Sequence, residues 1–99
     1  MEHKGYVKVF KALSDETRLR IVDMLSCGEM CACTILEDFC ITQPTLSYHM
    51  GILTASGLVT ARKDGSWMKY SINAEMKDAL IHFLSRVTNE KNECICREK

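Results

Sequence analysis

Several features that would place a sequence in another class are absent or scarce in this one. Proline occurs once among 99 residues and no segment is rich in glycine or low in complexity, so a flexible linker between domains is not expected. Positive and negative side chains balance at 13 each, so the net charge speaks neither for nor against a nucleic-acid partner. With 46% hydrophobic residues, this short chain predicts one small globular domain and excludes a multi-domain enzyme.

Long apolar runs are missing as well. Stretches such as Ala79-Leu80-Ile81 are soon interrupted by polar residues, far short of the roughly 18 apolar residues that a membrane-spanning helix needs. The first residues, Met1 to Lys8, lack the apolar segment and the small-residue cleavage site of a secretory signal. We therefore expect no membrane partner and a cytoplasmic location.

Cysteine, by contrast, is abundant, with six residues in the chain. In a secreted protein this number would suggest disulfide bonds. In a reducing cytoplasm, clustered cysteines are more often metal ligands or redox-active thiols. The clusters here are two Cys-x-Cys pairs, Cys31 with Cys33 and Cys94 with Cys96.

Apolar residues spaced three and four apart predict four successive helices. They are a helix over about 6–13, a second over roughly 15–26, a short third opened by Cys31-Ala32-Cys33, and a fourth with Pro44 in its first turn. Ser14 and Thr42 are the predicted N-caps of the second and fourth helices, because their hydroxyl oxygens can accept from free backbone N–H groups.

The periodicity changes after the fourth helix. Residues 58–63 and 67–72 are β-prone runs around Asp64-Gly65-Ser66, a strong signal for a β-hairpin. A last helix carries an apolar stripe wide enough to bury against another subunit: Met76, Leu80, Phe83, Leu84 and Val87. The predicted fold is mainly α with a small β-hairpin, in the order α-α-α-α-β-β-α, with one domain over 1–90 and a polar tail over 91–99.

Two short helices joined by a tight turn and followed by a hairpin form a winged helix-turn-helix, which places its second helix in the major groove of DNA. From Phe39 through Ala61 there is no Asp, Glu, Lys or Arg, so no carboxylate there repels the phosphates. The predicted base-contacting residues are Gln43, Thr45, Ser47, Tyr48 and His49. The predicted phosphate-contacting residues of the wing are Arg62, Lys63 and Lys69. The alternative, a merely solvated helix face, is the weaker interpretation for so long an uncharged stretch.

The cysteine pairs predict a site for a soft ion, because thiolates select arsenite, antimonite, cadmium, lead, zinc and copper(I). Residues two apart in a regular helix point about 200° apart, so Cys31 and Cys33 are expected to share an ion only if the first turn of the third helix distorts. Cys94 and Cys96 are further predicted ligands, and Cys40 is expected to be a small core residue. The alternative for all six is inert packing or an unreacted surface thiol.

Segments in the right order and spacing resemble the ArsR/SmtB family of metal-sensing repressors, especially the arsenical-resistance repressors. They are Leu13 to Val22 (LSDETRLRIV), Glu29 to Cys33 (EMCAC), Gln43 to Met50 (QPTLSYHM), Gly57 to Val59 and the Asp64-Gly65 turn. The resemblance implies a homodimer with its first and last helices at the interface, which leaves its operator DNA when an inducer binds. It also implies that Cys31 and Cys33 match the thiolates of members that respond to arsenic, antimony or cadmium.

The chain departs from the best-known arsenical repressors at Leu36, where those proteins have a third cysteine. Because arsenite prefers three thiolates, we expect the third from Cys94 or Cys96 of either subunit, or from a small thiol. The predicted function is therefore a repressor released by arsenite or antimonite, with no enzyme activity and no required cofactor. The alternatives are a cadmium-, lead- or zinc-responsive repressor, a thiol redox switch, a thiol oxidoreductase or a protein-docking module. The lack of a Cys-x-x-Cys motif and of a βαβ pattern disfavours the oxidoreductase.

Overall fold

Within residues 3–90, the part of the chain that the computed structural model describes, five helices and three short strands follow one another. The helices are α1 (His3–Leu13), α2 (Glu16–Leu25), α3 (Ala32–Glu37), α4 (Gln43–Ala55) and α5 (Ala74–Thr88). The strands are β1 (Met30–Cys31), β2 (Val59–Asp64) and β3 (Trp67–Ile72). The predicted helices and hairpin are confirmed, and no helix in this range is long and apolar enough to cross a membrane.

The strands form one antiparallel sheet in the order β1-β3-β2. In the β2–β3 hairpin Asp64 lies opposite Trp67, and the turn between them opens on Gly65, whose φ of 66° suits a type II′ turn. On the other edge of β3, β1 pairs so that Cys31 lies opposite Lys69. The hydrophobic pattern gives no sign of β1, because two residues are too few to show an alternation.

The core lies between the helices and the inner face of the hairpin. The most deeply buried large side chains are Val9, Ile21, Ile35, Met50, Leu53 and Val59, which come from α1, α2, α3, α4 and β2. α5 packs on α1 through Phe83, whose ring stacks on that of Tyr6 with 4.0 Å between the centroids. Met50 and Leu53 anchor α4, the recognition helix of the predicted DNA-binding unit, in this core.

Two side chains differ from the expected burial. Cys40 is exposed in the turn between α3 and α4, so the expectation that it is a small core residue is wrong; this turn lies at the surface. Leu19 continues the apolar stripe of α2 but is 53% exposed, because Ile21 and Leu25 point into the core instead. On α5, Leu84 is also exposed, as expected for a stripe wider than the chain's own core covers.

The N-cap of α2 is also different from the predicted one. The side chain of Asp15 accepts a hydrogen bond from the backbone N–H of Arg18 at 3.1 Å, and Ser14 donates instead to the carbonyl of Lys11 at 2.7 Å. Both residue types cap helices well, so composition does not decide between neighbours. The N-cap of α4 is confirmed: Thr42 accepts from the N–H of Thr45 at 3.3 Å.

Candidate nucleic-acid interface and thiol site

α4 presents an uncharged polar face to solvent. Because Leu46, Met50 and Leu53 are buried, the opposite side of this helix faces solvent. The exposed residues that sequence analysis assigns to base contacts are Gln43, Thr45, Ser47 and Tyr48. Tyr48 is the most open large side chain of the region, at 64% exposure. Amide and hydroxyl groups of this kind can form hydrogen bonds with base edges in the major groove.

His49, the fifth predicted base contact, is half-buried and faces α2. Its Nδ1 lies 3.1 Å from Nη1 of Arg18, whose Nε donates to the carbonyl of Ala12 at 2.7 Å. A guanidinium only donates, so Nδ1 accepts and the proton of the neutral ring sits on Nε2. His49 therefore ties α4 to the α1–α2 corner, and only its Nε2 edge is left for DNA. The sequence carries no local signal for Arg18, because its partner is distant along the chain.

The predicted wing cations are partly neutralised by carboxylates. Arg62 donates two hydrogen bonds to Glu29, from Nε to Oε2 at 2.7 Å and from Nη2 to Oε1 at 2.8 Å. Nζ of Lys69 lies 3.0 Å from Oδ2 of Asp64. These contacts hold the pKa values of Glu29 and Asp64 below their usual range. Lys63 is exposed and has no ion pair within residues 3–90, so it carries the free charge of the wing.

Cys31 and Cys33 lie together where β1 passes into α3. Their Sγ atoms are 2.7 Å apart, and both thiols are free. Cys31 is the N-cap of α3, with an extended backbone at φ −70° and ψ 145°, so the angle between side chains within a helix does not apply to this pair. The expectation that α3 must distort before the thiols meet is therefore wrong. An ion about 2.3 Å from each sulfur fits once the sulfurs separate by about 1 Å.

The two thiols differ in acidity. The hydrogen bond from the Cys33 thiol holds the pKa of Cys31 below its usual value, and the charge of Lys69 acts in the same direction. The same contact raises the pKa of Cys33. Sγ of Cys31 also accepts from the backbone N–H of Cys33 at 3.4 Å, a contact that favours the thiolate at Cys31. A thiolate is the form of cysteine that binds soft ions.

A third ligand is not available near the pair in the part of the chain that the structure describes. Residues 3–90 contain no group of three His, Cys, Asp or Glu side chains that could hold a metal ion. Cys27 and Cys40 are exposed elsewhere. Cys94 and Cys96, the predicted tail ligands, lie outside the described residues. Two adjacent thiols are thus the whole of the soft-ion site within this range.

Known proteins are similar to this chain in both sequence and fold. Residues 15–61 match the family model described as bacterial regulatory protein, arsR family. The arsenical resistance operon repressor of Staphylococcus aureus is 44% identical over 97 residues, which cover 98% of this chain and 93% of that protein. A cadmium resistance transcriptional regulatory protein of the same organism is 39% identical over 75 residues, covering 75% of this chain and 62% of that protein.

A solved structure agrees with the architecture. The solution structure of a homodimeric winged helix-turn-helix DNA-binding domain from Mycobacterium bovis superimposes with a TM-score of 0.70 at 24% identity, covering 92% of this chain and 89% of that one. This likeness confirms the winged-helix fold. The 44% identity to the staphylococcal repressor, which extends over nearly the full length of both chains, also shows the family. The chain belongs to the ArsR family and is a DNA-binding transcriptional repressor, not an enzyme.

Proposed function

We propose that this repressor binds operator DNA as a homodimer and is released when arsenite or antimonite binds the thiolates of Cys31 and Cys33. The observation that carries the proposal is the 2.7 Å contact between the two sulfurs at the edge of the wing sheet. Soft trivalent ions prefer such thiolates over oxygen or nitrogen ligands. The identity to an arsenical resistance repressor supports the same inducer.

On the DNA side, α4 enters the major groove and the hairpin follows the adjacent backbone. The base-reading set is Gln43, Thr45, Ser47 and Tyr48, with the Nε2 edge of His49. The phosphate-contacting set is Arg62, Lys63 and Lys69. Because one chain offers little free positive charge, two copies are needed to neutralise enough phosphates for tight binding. The exposed apolar faces of α1 and α5 supply the contact between the copies.

On the inducer side, the link to DNA runs through the sheet. Cys31 belongs to β1, and its partner in β3 is Lys69, one of the wing cations. An ion that separates the two sulfurs shifts β1 and the start of α3, and through β3 it shifts the wing. A 100-fold loss of DNA affinity needs about 2.7 kcal/mol of coupling between the two sites. The third ligand is Cys94 or Cys96 of either subunit, or a small thiol.

The test is a titration of the fully reduced protein on labelled operator DNA, followed by fluorescence anisotropy. Arsenite is expected to release the DNA at stoichiometric amounts, and cadmium, lead and zinc are run separately. The Cys31→Ser/Cys33→Ser variant is expected to bind DNA and to ignore arsenite. The matched control is Cys27→Ser/Cys40→Ser, which removes two exposed thiols outside the pair and is expected to respond normally. If the Cys31→Ser/Cys33→Ser protein releases DNA at the same arsenite concentration, the site is wrong.

The same sulfur contact favours a second candidate, a thiol redox switch. Two adjacent thiols can be oxidised by hydrogen peroxide to one disulfide, with the peroxide reduced to two water molecules. In this case peroxide alone releases the operator in metal-free buffer, and a reductant restores binding. DNA binding that ignores peroxide but responds to arsenite excludes this candidate. A response to cadmium, lead or zinc alone would keep the repressor and change its inducer.

A further inference from the structure

Arg18, in the first turn of α2, contacts three parts of the fold. Its backbone N–H donates to the N-cap carboxylate of Asp15 at 3.1 Å, and its Nε donates at 2.7 Å to the carbonyl of Ala12 in the last turn of α1. The last carbonyls of a helix have no partner within the helix, so this guanidinium caps α1. Its Nη1 remains for Nδ1 of His49 in α4, 3.1 Å away. Arg18 therefore connects α1 and α2 with the recognition helix.

The imidazole of His49 is held on one side and open on the other. A neutral imidazole can carry its proton on either nitrogen, and the guanidinium of Arg18 selects the form whose Nδ1 accepts. The ring of Tyr48 lies beside that of His49, with 5.4 Å between the centroids and 64° between the planes. Within residues 3–90, Nε2 has no hydrogen-bond partner and no buried side-chain nitrogen or oxygen lacks one, so Nε2 reaches solvent. The accessible edge of the ring is thus an N–H donor.

We propose that Arg18 is a positioning residue for DNA recognition: it fixes the tautomer of His49 and so makes His49 a hydrogen-bond donor to an acceptor on the operator. This inference rests on the proposed placement of α4 in the major groove. The acceptors present there are N7 and O6 of guanine, N7 of adenine, O4 of thymine and the phosphate oxygens. The other tautomer would present a lone pair at Nε2, which suits the amino groups of adenine and cytosine instead. Arg18 therefore determines which kind of group His49 can recognise.

Two matched substitutions separate the two nitrogens of the ring. His49→Asn places an amide oxygen where Nδ1 was, so the contact with Arg18 can persist, but nothing replaces the donor at Nε2. His49→Gln places an amide nitrogen where Nε2 was, so the donor persists, but no atom accepts from Arg18. On operator DNA, followed by fluorescence anisotropy, the dimeric His49→Asn protein is expected to bind about tenfold more weakly than wild type. His49→Gln is expected to stay within about threefold of wild type.

The role of Arg18 itself is tested by Arg18→Gln in a double-mutant cycle with His49→Gln. This change places an amide nitrogen where Nε was, so the contact with the carbonyl of Ala12 can persist while the contact with His49 is removed. Arg18→Gln is expected to weaken operator binding about fivefold more in the wild-type background than in the His49→Gln background. The loss of one positive charge is common to both backgrounds and cancels.

Nitrogen-15 NMR in slightly alkaline buffer reports the tautomer directly. In wild type, the proton of the His49 ring is expected on Nε2 alone, and in Arg18→Gln both tautomers are expected. The chain has three histidines, and the signals of His49 are those that His49→Gln removes. A role of Arg18 limited to the stability of the fold would leave the tautomer unchanged.

Operators with one base pair changed at a time identify the acceptor. If it is a base edge, His49→Asn loses the wild-type preference at one position of each half-site. If it is a phosphate oxygen, His49→Asn binds every operator more weakly by the same factor. Both results support a donor at Nε2 and differ only in the location of its acceptor.

Three results would overturn the inference: equal weakening by Arg18→Gln in both backgrounds, a proton on Nδ1 of His49 in wild type, or wild-type affinity of His49→Asn. Gln43→Ala tests the placement of α4 separately, since Gln43 is another predicted base contact. If Gln43→Ala weakens binding and His49→Asn does not, α4 contacts DNA without His49 and the proposed function stands. If neither change weakens binding, the placement of α4 fails and the inference fails with it.

Discussion

At the scale of single residues, Glu29 controls how much positive charge the wing offers. Its carboxylate accepts two hydrogen bonds from Arg62, the strongest geometry for such a pair. An arginine held in this way is less available to a phosphate. Glu29 also adds a negative charge at the edge of the surface that we propose faces DNA.

We therefore expect Glu29→Gln to raise operator affinity severalfold. The salt dependence should steepen as well, by up to about 0.9 in the slope of log K against log salt for each Arg62 that gains a phosphate contact, and so by up to about 1.8 for a dimer. Fluorescence anisotropy over a range of salt concentrations measures both quantities. The matched control is Glu37→Gln, which removes the same charge from an exposed position of α3 with no ion pair within residues 3–90. Equal gains in the two variants would mean that net charge, and not the release of Arg62, is responsible.

The chemical type of these residues can be recognised in the sequence, but the residues with which they form ion pairs and hydrogen bonds cannot. Arg62 and Lys69 are recognisable as wing cations because they lie in β-prone runs on either side of a turn. Their pairing with Glu29 and Asp64 depends on the sheet, which brings these segments of the chain together. The tie between Arg18 and His49 is hidden for the same reason. Local spacing reveals contacts within one helix, and these contacts join different elements.

At the scale of elements, α4 contains a glycine that its packing does not require. Nothing lies within 4 Å of the position that a Cβ would take at Gly51, which is an exposed residue inside the helix. Glycine in a helix interior lowers stability relative to alanine, because it loses more conformational freedom on folding.

Gly51→Ala is expected to raise the free energy of unfolding by roughly 0.5–1 kcal/mol. Chemical denaturation at a fixed protein concentration measures it, since a dimer's stability depends on concentration. Gly28→Ala is the opposing variant: its site is equally open, but its φ of 126° disfavours any side chain. This second variant is expected to lose stability. A destabilised Gly51→Ala protein would show that α4 has a packing constraint at this position.

The helices and the hairpin are predictable because each has its own period of apolar residues and its own turn or cap signals. β1 is not, and it changes the interpretation of the thiols. Since Cys31 has the extended backbone of an N-cap, its sulfur meets that of Cys33 without any change in α3. The spacing rule for helices is correct in itself. Cys31 lies just before α3, where this rule does not hold.

At the scale of the whole molecule, the exposed apolar side chains on α1 and α5 form a face that the single chain does not cover. Val7 and Phe10 lie on α1, and Ile81, Leu84 and Val87 lie on α5. The ring of Phe83 contacts the rings of Tyr6 and Phe10, so α5 lies against α1. We expect these exposed apolar side chains to contact a second copy of the chain.

We expect Ile81→Glu to convert the dimer into monomers and to weaken operator binding by about 100-fold or more, because two linked half-site contacts are lost. Analytical ultracentrifugation gives the oligomeric state, and anisotropy gives the affinity. His82→Glu introduces the same side chain at the adjacent exposed position and is expected to remain a dimer. An Ile81→Glu protein that stays dimeric would place the interface elsewhere on the molecule.

The pairing of β1 with β3 also makes inducer binding and DNA binding oppose each other in the proposed mechanism. If the inducer weakens DNA binding through this sheet, operator DNA must weaken inducer binding by the same factor. Repressor molecules that are not bound to DNA therefore have the higher affinity for the inducer and bind it first. Molecules bound to the operator respond only at higher inducer concentrations. In a cell with many copies of the protein per operator, more inducer is therefore needed before transcription begins. The amount of repressor thus sets the inducer concentration at which the operator is released.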